Sequence, residues 1–232
     1  GTQIDTFRQS LYARYRQVLG QPAEMPSEGY MGSYMIDLAK ELAAELGDKF
    51  LAMPEPQAVQ ELGDIGLSRM LAAIKADLDL VGVSFDVWFR EKNLFSGGQY
   101  DKVMSLLKQG GFTAEKAGAL WFNSSALGED KDNVLVRSSG APTYFASDIA
   151  YHYNKFLERG FDRVINIWGA DHQGHVSRMK AVMGALGLDP ERLTLIIAQM
   201  VTLRRGDQVL RVSKRTGDII TLREVVSEVG AD

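Results

Sequence analysis

The residues best suited to chemistry lie in Gly169-Ala170-Asp171-His172-Gln173-Gly174-His175, directly after the apolar run Val164-Ile165-Asn166-Ile167-Trp168. The run is β-branched and aromatic, charge precedes it and glycine follows, so it reads as a buried parallel strand. A glycine turn between a strand and a helix offers free backbone N–H groups to an anion. In open α/β sheets ligands bind outside the carboxyl ends of the strands. Asp171 in such a crevice could bond a ribose hydroxyl, which makes this stretch a candidate nucleotide site. The same glycines would serve an ordinary connection equally well. His172 and His175 beside Asp171, with His152 as the remaining histidine, raise metal binding as another reading, but their spacing matches no closed ligand set.

Two further groups could do chemistry. Residues 143–157 read as a helix, on which Tyr144 and Asp148 lie four apart on one face. A carboxylate one turn from an aromatic hydroxyl suits a guanidinium, whose fork it can accept while the ring bounds the stem. Favourable placement of an acid near a helix start explains Asp148 as well. Between Thr202 and Gly217 stand Arg204, Arg205, Arg211, Lys214 and Arg215 against Asp207. A basic loop ending in glycine can close over phosphates and neutralise developing charge. A solvated surface loop has the same composition.

The elements that would position these groups follow from apolar spacing. Ile4, Phe7, Leu11, Tyr15, Val18 and Leu19 predict one helix ended by Gly20, and Met35, Leu38, Leu42 and Leu46 a second stopped by Gly47. A third helical stretch runs over 56–80, with Gly63 and Gly66 as weak points. Residues 85–89 look like a strand, 99–109 like a helix, and 119–122 and 134–136 like short strands. After the helix that begins near Val176, residues 193–198 read as a strand whose apolar pattern continues through Met200-Val201, and Val209-Leu210 pairs back across the turn at Gly206-Asp207. Thr221-Leu222-Arg223-Glu224 is a capping box that starts a last helix. Before Gly140 the stripes read as core rather than site.

Composition narrows the classes. With 26 basic and 30 acidic residues the formal charge is −4, so the chain as a whole is no electrostatic magnet for nucleic acid. No apolar run approaches the ~20 residues that cross a bilayer. There is no cysteine, which excludes disulfides and thiolate metal sites and fits a cytoplasmic protein. The chain begins Gly1-Thr2-Gln3 and stops after a short helical pattern, so an internal piece of something longer is expected.

Taken in order, Thr143-Tyr144-Phe145-Ala146-Ser147-Asp148-Ile149-Ala150-Tyr151-His152, Trp168-Gly169-Ala170-Asp171-His172 and Val212-Ser213-Lys214-Arg215-Thr216-Gly217 resemble the second catalytic half of the arginyl-tRNA synthetases. Gly29-Tyr30-Met31-Gly32 and Phe85-Asp86-Val87-Trp88-Phe89 extend the resemblance along essentially the whole chain. These are class I synthetases with a Rossmann-type core. The resemblance implies an α/β fold: an incomplete Rossmann-type parallel sheet at 140–202, a mainly helical insertion at 1–139, and a signature loop with the start of a helical segment at 203–232. It implies that Tyr144 and Asp148 hold the arginine side chain, and that Gly169, Asp171, His172, Met200 and Val201 line the place of ATP. The stretch 212–215 is similar to the mobile KMSKS loop, so Lys214 would steady the triphosphate, with Ser213 and Arg215 beside it among the catalytic residues. Val212 stands where the family usually has methionine, and Arg211 where its first lysine often is. The HIGH-type signature of the first half has no counterpart here.

The activity so implied is ligation of arginine to its tRNA through arginyl-adenylate, with ATP as substrate, Mg²⁺ accompanying it and no structural metal. Arginine, ATP and arginine tRNA are the expected partners, without a membrane, and a monomer in the cytoplasm is expected. Half a nucleotide site should be inactive alone. Another Rossmann-type nucleotide enzyme, or a truncated synthetase-like binding module without activity, remain the alternatives.

Overall fold

Apolar residues at three- and four-residue spacing become α1 (Thr2–Val18), α2 (Ser33–Leu46) and α3 (Glu55–Asp79), close to where the spacing places them. The computed structural model describes residues 2–209 and 220–231. The chain divides into two compact units, one of Gly1–Asp86 with Thr202–Asp232, the other of Val87–Val201.

In the first unit α1 packs against both α2 and α3. Leu11, Tyr15, Met35, Leu42, Phe50 and Leu62 are fully buried between them. The glycines of α3 are contact points rather than weak points, and the 25-residue helix runs through both. A Cβ at Gly63 would lie 2.7 Å from Arg8 Cβ and 3.1 Å from its Cα, and one at Gly66 would overlap Leu11 Cδ2. Their bareness lets α1 and α3 approach.

Residues 85–89, which look like a strand in sequence, form none. Aromatic and β-branched side chains satisfy half of what a strand needs; the other half is a backbone partner, and no described strand pairs with them. Phe89 instead stacks on Tyr151 with ring centroids 4.4 Å apart.

The second unit begins with the short α4 (Lys92–Ser96) and α5 (Gln99–Gln109). An antiparallel sheet follows, of β1 (Thr113–Lys116), β2 (Ala119–Phe122) and β3 (Asn133–Val136) in that order. Next come α6 (Tyr144–Tyr153), β4 (Val164–Gly169), α7 (Val176–Ala185) and β5 (Leu193–Ala198). Strands β4 and β5 are parallel and in register from Val164↔Leu193 to Gly169↔Ala198. This β–α–β unit shares one core with α5 and α6, through Phe145, Ile149, Met179, Val182 and Leu193.

The expectation that β4 is buried holds for one face only. Val164 and Asn166 are buried, whereas Ile165 is 63% and Ile167 72% exposed. Among the described residues the parallel sheet has two strands, and its buried residues turn to the helices. β5 ends at Ala198, where its pairing with Gly169 ends, so Met200 and Val201 do not continue the strand.

Beyond it, in the first unit, β6 (Arg204–Arg205) and β7 (Gln208–Val209) pair across Gly206, whose φ of 58° suits glycine. α8 (Leu222–Val229) starts at the predicted capping box: Thr221 Oγ1 accepts from Glu224 N–H at 3.2 Å, and Glu224 Oε2 accepts from Thr221 N–H at 2.7 Å. Arg223 ties α8 to Asp77 of α3 at 2.7 Å.

Candidate active site

Helix α6 starts where β3 hands the chain over. Thr143 donates its backbone N–H to the Leu135 carbonyl at 2.9 Å, and its hydroxyl donates to the Val134 carbonyl at 2.8 Å. The same Oγ1 accepts from Ala146 N–H at 3.3 Å and caps the helix. Phe145, Ala146, Ile149, Ala150 and Tyr153 take the inner face. That leaves Tyr144, 73% exposed, and Asp148 on the outer one.

The second group stands at the carboxyl ends of β4 and β5, which are level because the strands pair in register. A 3₁₀ turn over Ala170–His175 separates Gly169 from α7 and touches both strands. The helix therefore opens at Val176 and not at the glycine turn itself. Asp171 folds back over Gly169, so a Cβ there would lie 2.6 Å from Asp171 Oδ1. Asp171 Oδ2 is 3.5 Å from His172 Nε2, and the His172 ring lies 6.2 Å from Trp168 and 5.3 Å from His175. Met200 and Val201, just past β5, are 77% and 83% exposed.

The two groups share one electrostatic neighbourhood. Asp148 opens to solvent on one side while protein encloses it on the others, and that enclosure pushes its carboxyl above the usual carboxylate range. Glu91 pushes it up further, whereas Lys155, Arg178 and His172 pull it back. His172 of the glycine turn thus lies within charge–charge range of Asp148. Arg178, from the first turn of α7, stacks over Phe145 at 4.7 Å and donates to Asn133 Oδ1 at 3.0 Å.

Glu91, Lys155 and Arg178 escaped the sequence reading. Glu91 falls in a stretch read as core, and the two cations carry no motif. Asn166 also escaped, although a lone amide between two isoleucines in an apolar strand was a signal. It is buried, as is His152. His152 Nδ1 is 2.7 Å from the Asp148 carbonyl, and its Nε2 is 2.6 Å from Asn166 Nδ2. Lys155 Nζ donates to Asn166 Oδ1 at 2.8 Å and sits 4.3 Å from the centre of the Tyr151 ring. Burial, with Lys155 nearby, lowers the His152 pKa to about 4. Burial likewise lowers that of Lys155 to about 8, against the pull of Asp148.

Ser213, Lys214 and Arg215 lie outside the described residues. Among the described residues no group of three or more His, Asp or Glu side chains converges on a metal position, and no helix is long and apolar enough to cross a membrane.

Residues 61–231 fit the family described as tRNA synthetases class I (R), catalytic domain. The chain belongs to that family. It is 60% identical over its whole length to an arginine–tRNA ligase of Dehalococcoides mccartyi, and 53% to one of Carboxydothermus hydrogenoformans, and spans 42% of the length of each. Among solved structures, an arginyl-tRNA synthetase described from Campylobacter jejuni superposes with a TM-score of 0.87 at 34% identity, covering all of this chain and 50% of that one. The arginyl-tRNA synthetase of Thermus thermophilus shares the fold, with a TM-score of 0.66 at 18% identity over 97% of this chain and 44% of that one.

Proposed function

We propose that this chain is part of the catalytic domain of an arginine–tRNA ligase, and that it supplies the arginine-binding side and one wall of the ATP site. The observation that carries the reading is Asp148, a carboxylate on the open face of α6 within the field of His172, which stands in the turn at the ends of the parallel strands. Residues 140–202 would form the second half of the nucleotide fold, 1–139 the insertion and 203–232 the signature-loop segment.

In the whole protein the arginine carboxylate attacks the α-phosphorus of ATP, pyrophosphate leaves, and the arginyl group passes from the adenylate to the 3′ end of the tRNA. Asp148 accepts the guanidinium fork and the Tyr144 ring bounds its stem. Gly169, Asp171, His172, Met200 and Val201 surround the adenosine, with Asp171 on a ribose hydroxyl. Lys214, flanked by Ser213 and Arg215, stabilises charge as it moves onto pyrophosphate, and Mg²⁺ accompanies the triphosphate. Catalysis on this reading is positioning and charge stabilisation, carried out by a monomer in the cytoplasm.

The test is calorimetric titration of arginine and ATP, separately, into the full-length ligase and its Asp148→Asn variant. Asparagine keeps the size, removes the charge and turns a donor toward the guanidinium's own donors. Truncating one side of a charge pair costs ~2–5 kcal/mol when buried, and solvent access to Asp148 favours the lower part of that range. Arginine affinity should fall about thirty- to three-hundredfold while ATP affinity holds. Equal arginine affinity in the two proteins would remove Asp148 from the site.

A further inference from the structure

After Tyr153 helix α6 widens into a π turn over Asn154–Glu158, closed by Arg159 N–H on the Asn154 carbonyl. At the junction three polar side chains lie end to end: Lys155, Asn166 and His152. We propose that they form a positioning chain which holds Asp148 against the strand leading to the glycine turn, and so sets the geometry in which arginine is bound. The proposal rests on the ligase reading above.

The role of each member follows from what its atoms can do. An ammonium has only donors, so Lys155 Nζ must face the oxygen of the Asn166 amide, at 2.8 Å. The amide nitrogen then points the other way, 2.6 Å from His152 Nε2. Since Nδ2 only donates, Nε2 must accept, and the ring proton must sit on Nδ1. From there it donates to the Asp148 carbonyl at 2.7 Å. Flipping the amide would set donor against donor at Lys155 and acceptor against acceptor at His152 Nε2, so the chain runs in one direction, from the cation to the backbone of Asp148. Enclosure keeps the imidazole neutral, and the tautomer persists at neutral pH.

Placement gives the chain its use. Asn166 lies three residues before Gly169 on β4, and His152 one turn after Asp148 on α6. The chain therefore fixes the carboxylate-bearing helix to the strand that ends at the turn holding Asp171 and His172. A buried polar chain has no stability advantage over well-packed apolar residues of the same volume, because its groups lose their water. What it adds is a fixed direction and spacing.

The experiment uses the full-length ligase with arginine and ATP titrated separately. His152→Phe removes both ring contacts, and His152→Asn returns an amide N–H near the place of Nδ1. Lys155→Met releases the Asn166 amide from a partly buried position at the edge of the core. Arginine affinity should fall roughly tenfold in His152→Phe and about threefold in Lys155→Met, as the loss of one or two hydrogen bonds implies. His152→Asn should recover most of the loss, and ATP affinity should stay within about twofold throughout. A purely structural role predicts something else: arginine and ATP affinity change together, or only the unfolding midpoint moves. Either result overturns the proposal, and if the His152 variants do not fold, Lys155→Met decides it alone. A wild type with no arginine-dependent charging would bring down the ligase reading first, and this proposal with it.

Discussion

The two units bury different kinds of interior. Between α1, α2 and α3 the core is mostly apolar: its polar groups among the described residues are the Tyr15 hydroxyl, which donates to the Gly47 carbonyl, and Ser10, bonded to the Thr6 carbonyl at 2.7 Å and to Tyr30 N–H at 3.0 Å. Around α6 and β4 the core takes in Ser147, His152, Asn154 and Asn166. The first interior is tuned by steric approach, down to a missing methyl at Gly63. The second is tuned by donors and acceptors. An interior that only has to hold helices together can do so with shape alone. One that must hold a carboxylate beside a turn also needs direction, which hydrogen bonds supply and apolar contacts do not.

The largest effect expected from this difference is in acid. His152 has a folded-state pKa of about 4 against 6.5 for the free side chain, so between those values the unfolded chain binds the proton and the folded one does not. The contribution of the neutral His152 is therefore fully present above pH 6.5 and is lost as pH drops toward 4. The loss amounts to about 3 kcal/mol, because each pH unit between the two values contributes about 1.36 kcal/mol. Trp88, Trp121 and Trp168, all the tryptophans of the chain, lie in Val87–Val201, so their fluorescence reports on this unit. Urea unfolding followed by that signal should show a steeper loss between pH 6.5 and 4 in the wild type than in His152→Gln. Parallel pH dependences would mean the imidazole is not held neutral, and the contrast between the two interiors would lose its electrostatic side.

A smaller effect belongs to the first unit. Gly63→Ala drives a methyl into the backbone of Arg8, which no rotamer change relieves, and Gly66→Ala drives one into the buried Leu11. Overpacking of this kind costs ~1–3 kcal/mol. Far-UV circular dichroism against urea at neutral pH should show the loss. No loss at either glycine would show that steric approach does not govern this interior.

The same contrast explains what the sequence revealed. Apolar spacing of Phe7, Leu11, Tyr15, Met35, Leu38 and Leu42 placed α1 and α2, because a dry helical interior is written in periodicity. The glycine turn, Tyr144 and Asp148 can be named from sequence as candidates because their spacing on one strand end and one helix face is local. Residues 85–89 misled because a strand is a property of two segments, and the pattern of one says nothing about its neighbour. Ile165 and Ile167 mislead for a similar reason: apolar side chains at alternate and intervening positions predict cover on both faces, and the described chain supplies one. The Lys155–Asn166–His152 chain was not legible at all. Its members come from a helix, a π turn and a strand, and only the fold brings them within hydrogen-bond distance. Met200 and Val201 were named through the resemblance, and their side chains alone would have suggested more strand.

The smallest expected effect is also the sharpest check, because it repeats a substitution with the opposite sign. Gly184 lies one residue before the end of α7, on the exposed side of a helix whose Met179, Val182 and Met183 are buried. Its φ is not positive, and an added Cβ would meet nothing within 4 Å. Nothing in the folded protein therefore opposes a methyl group there, while the unfolded chain loses backbone freedom. Gly184→Ala should raise stability by about 0.5 kcal/mol, near the low end for such changes because the position is close to the helix terminus. Tryptophan-detected urea unfolding at neutral pH would record it as a slightly higher midpoint with an unchanged slope. Paired with Gly63→Ala, the same chemical change would stabilise at one glycine and destabilise at the other, as steric approach alone dictates. A loss of stability at Gly184 would show that helix glycines here are kept for a reason other than space, and would take the argument from Gly63 and Gly66 with it.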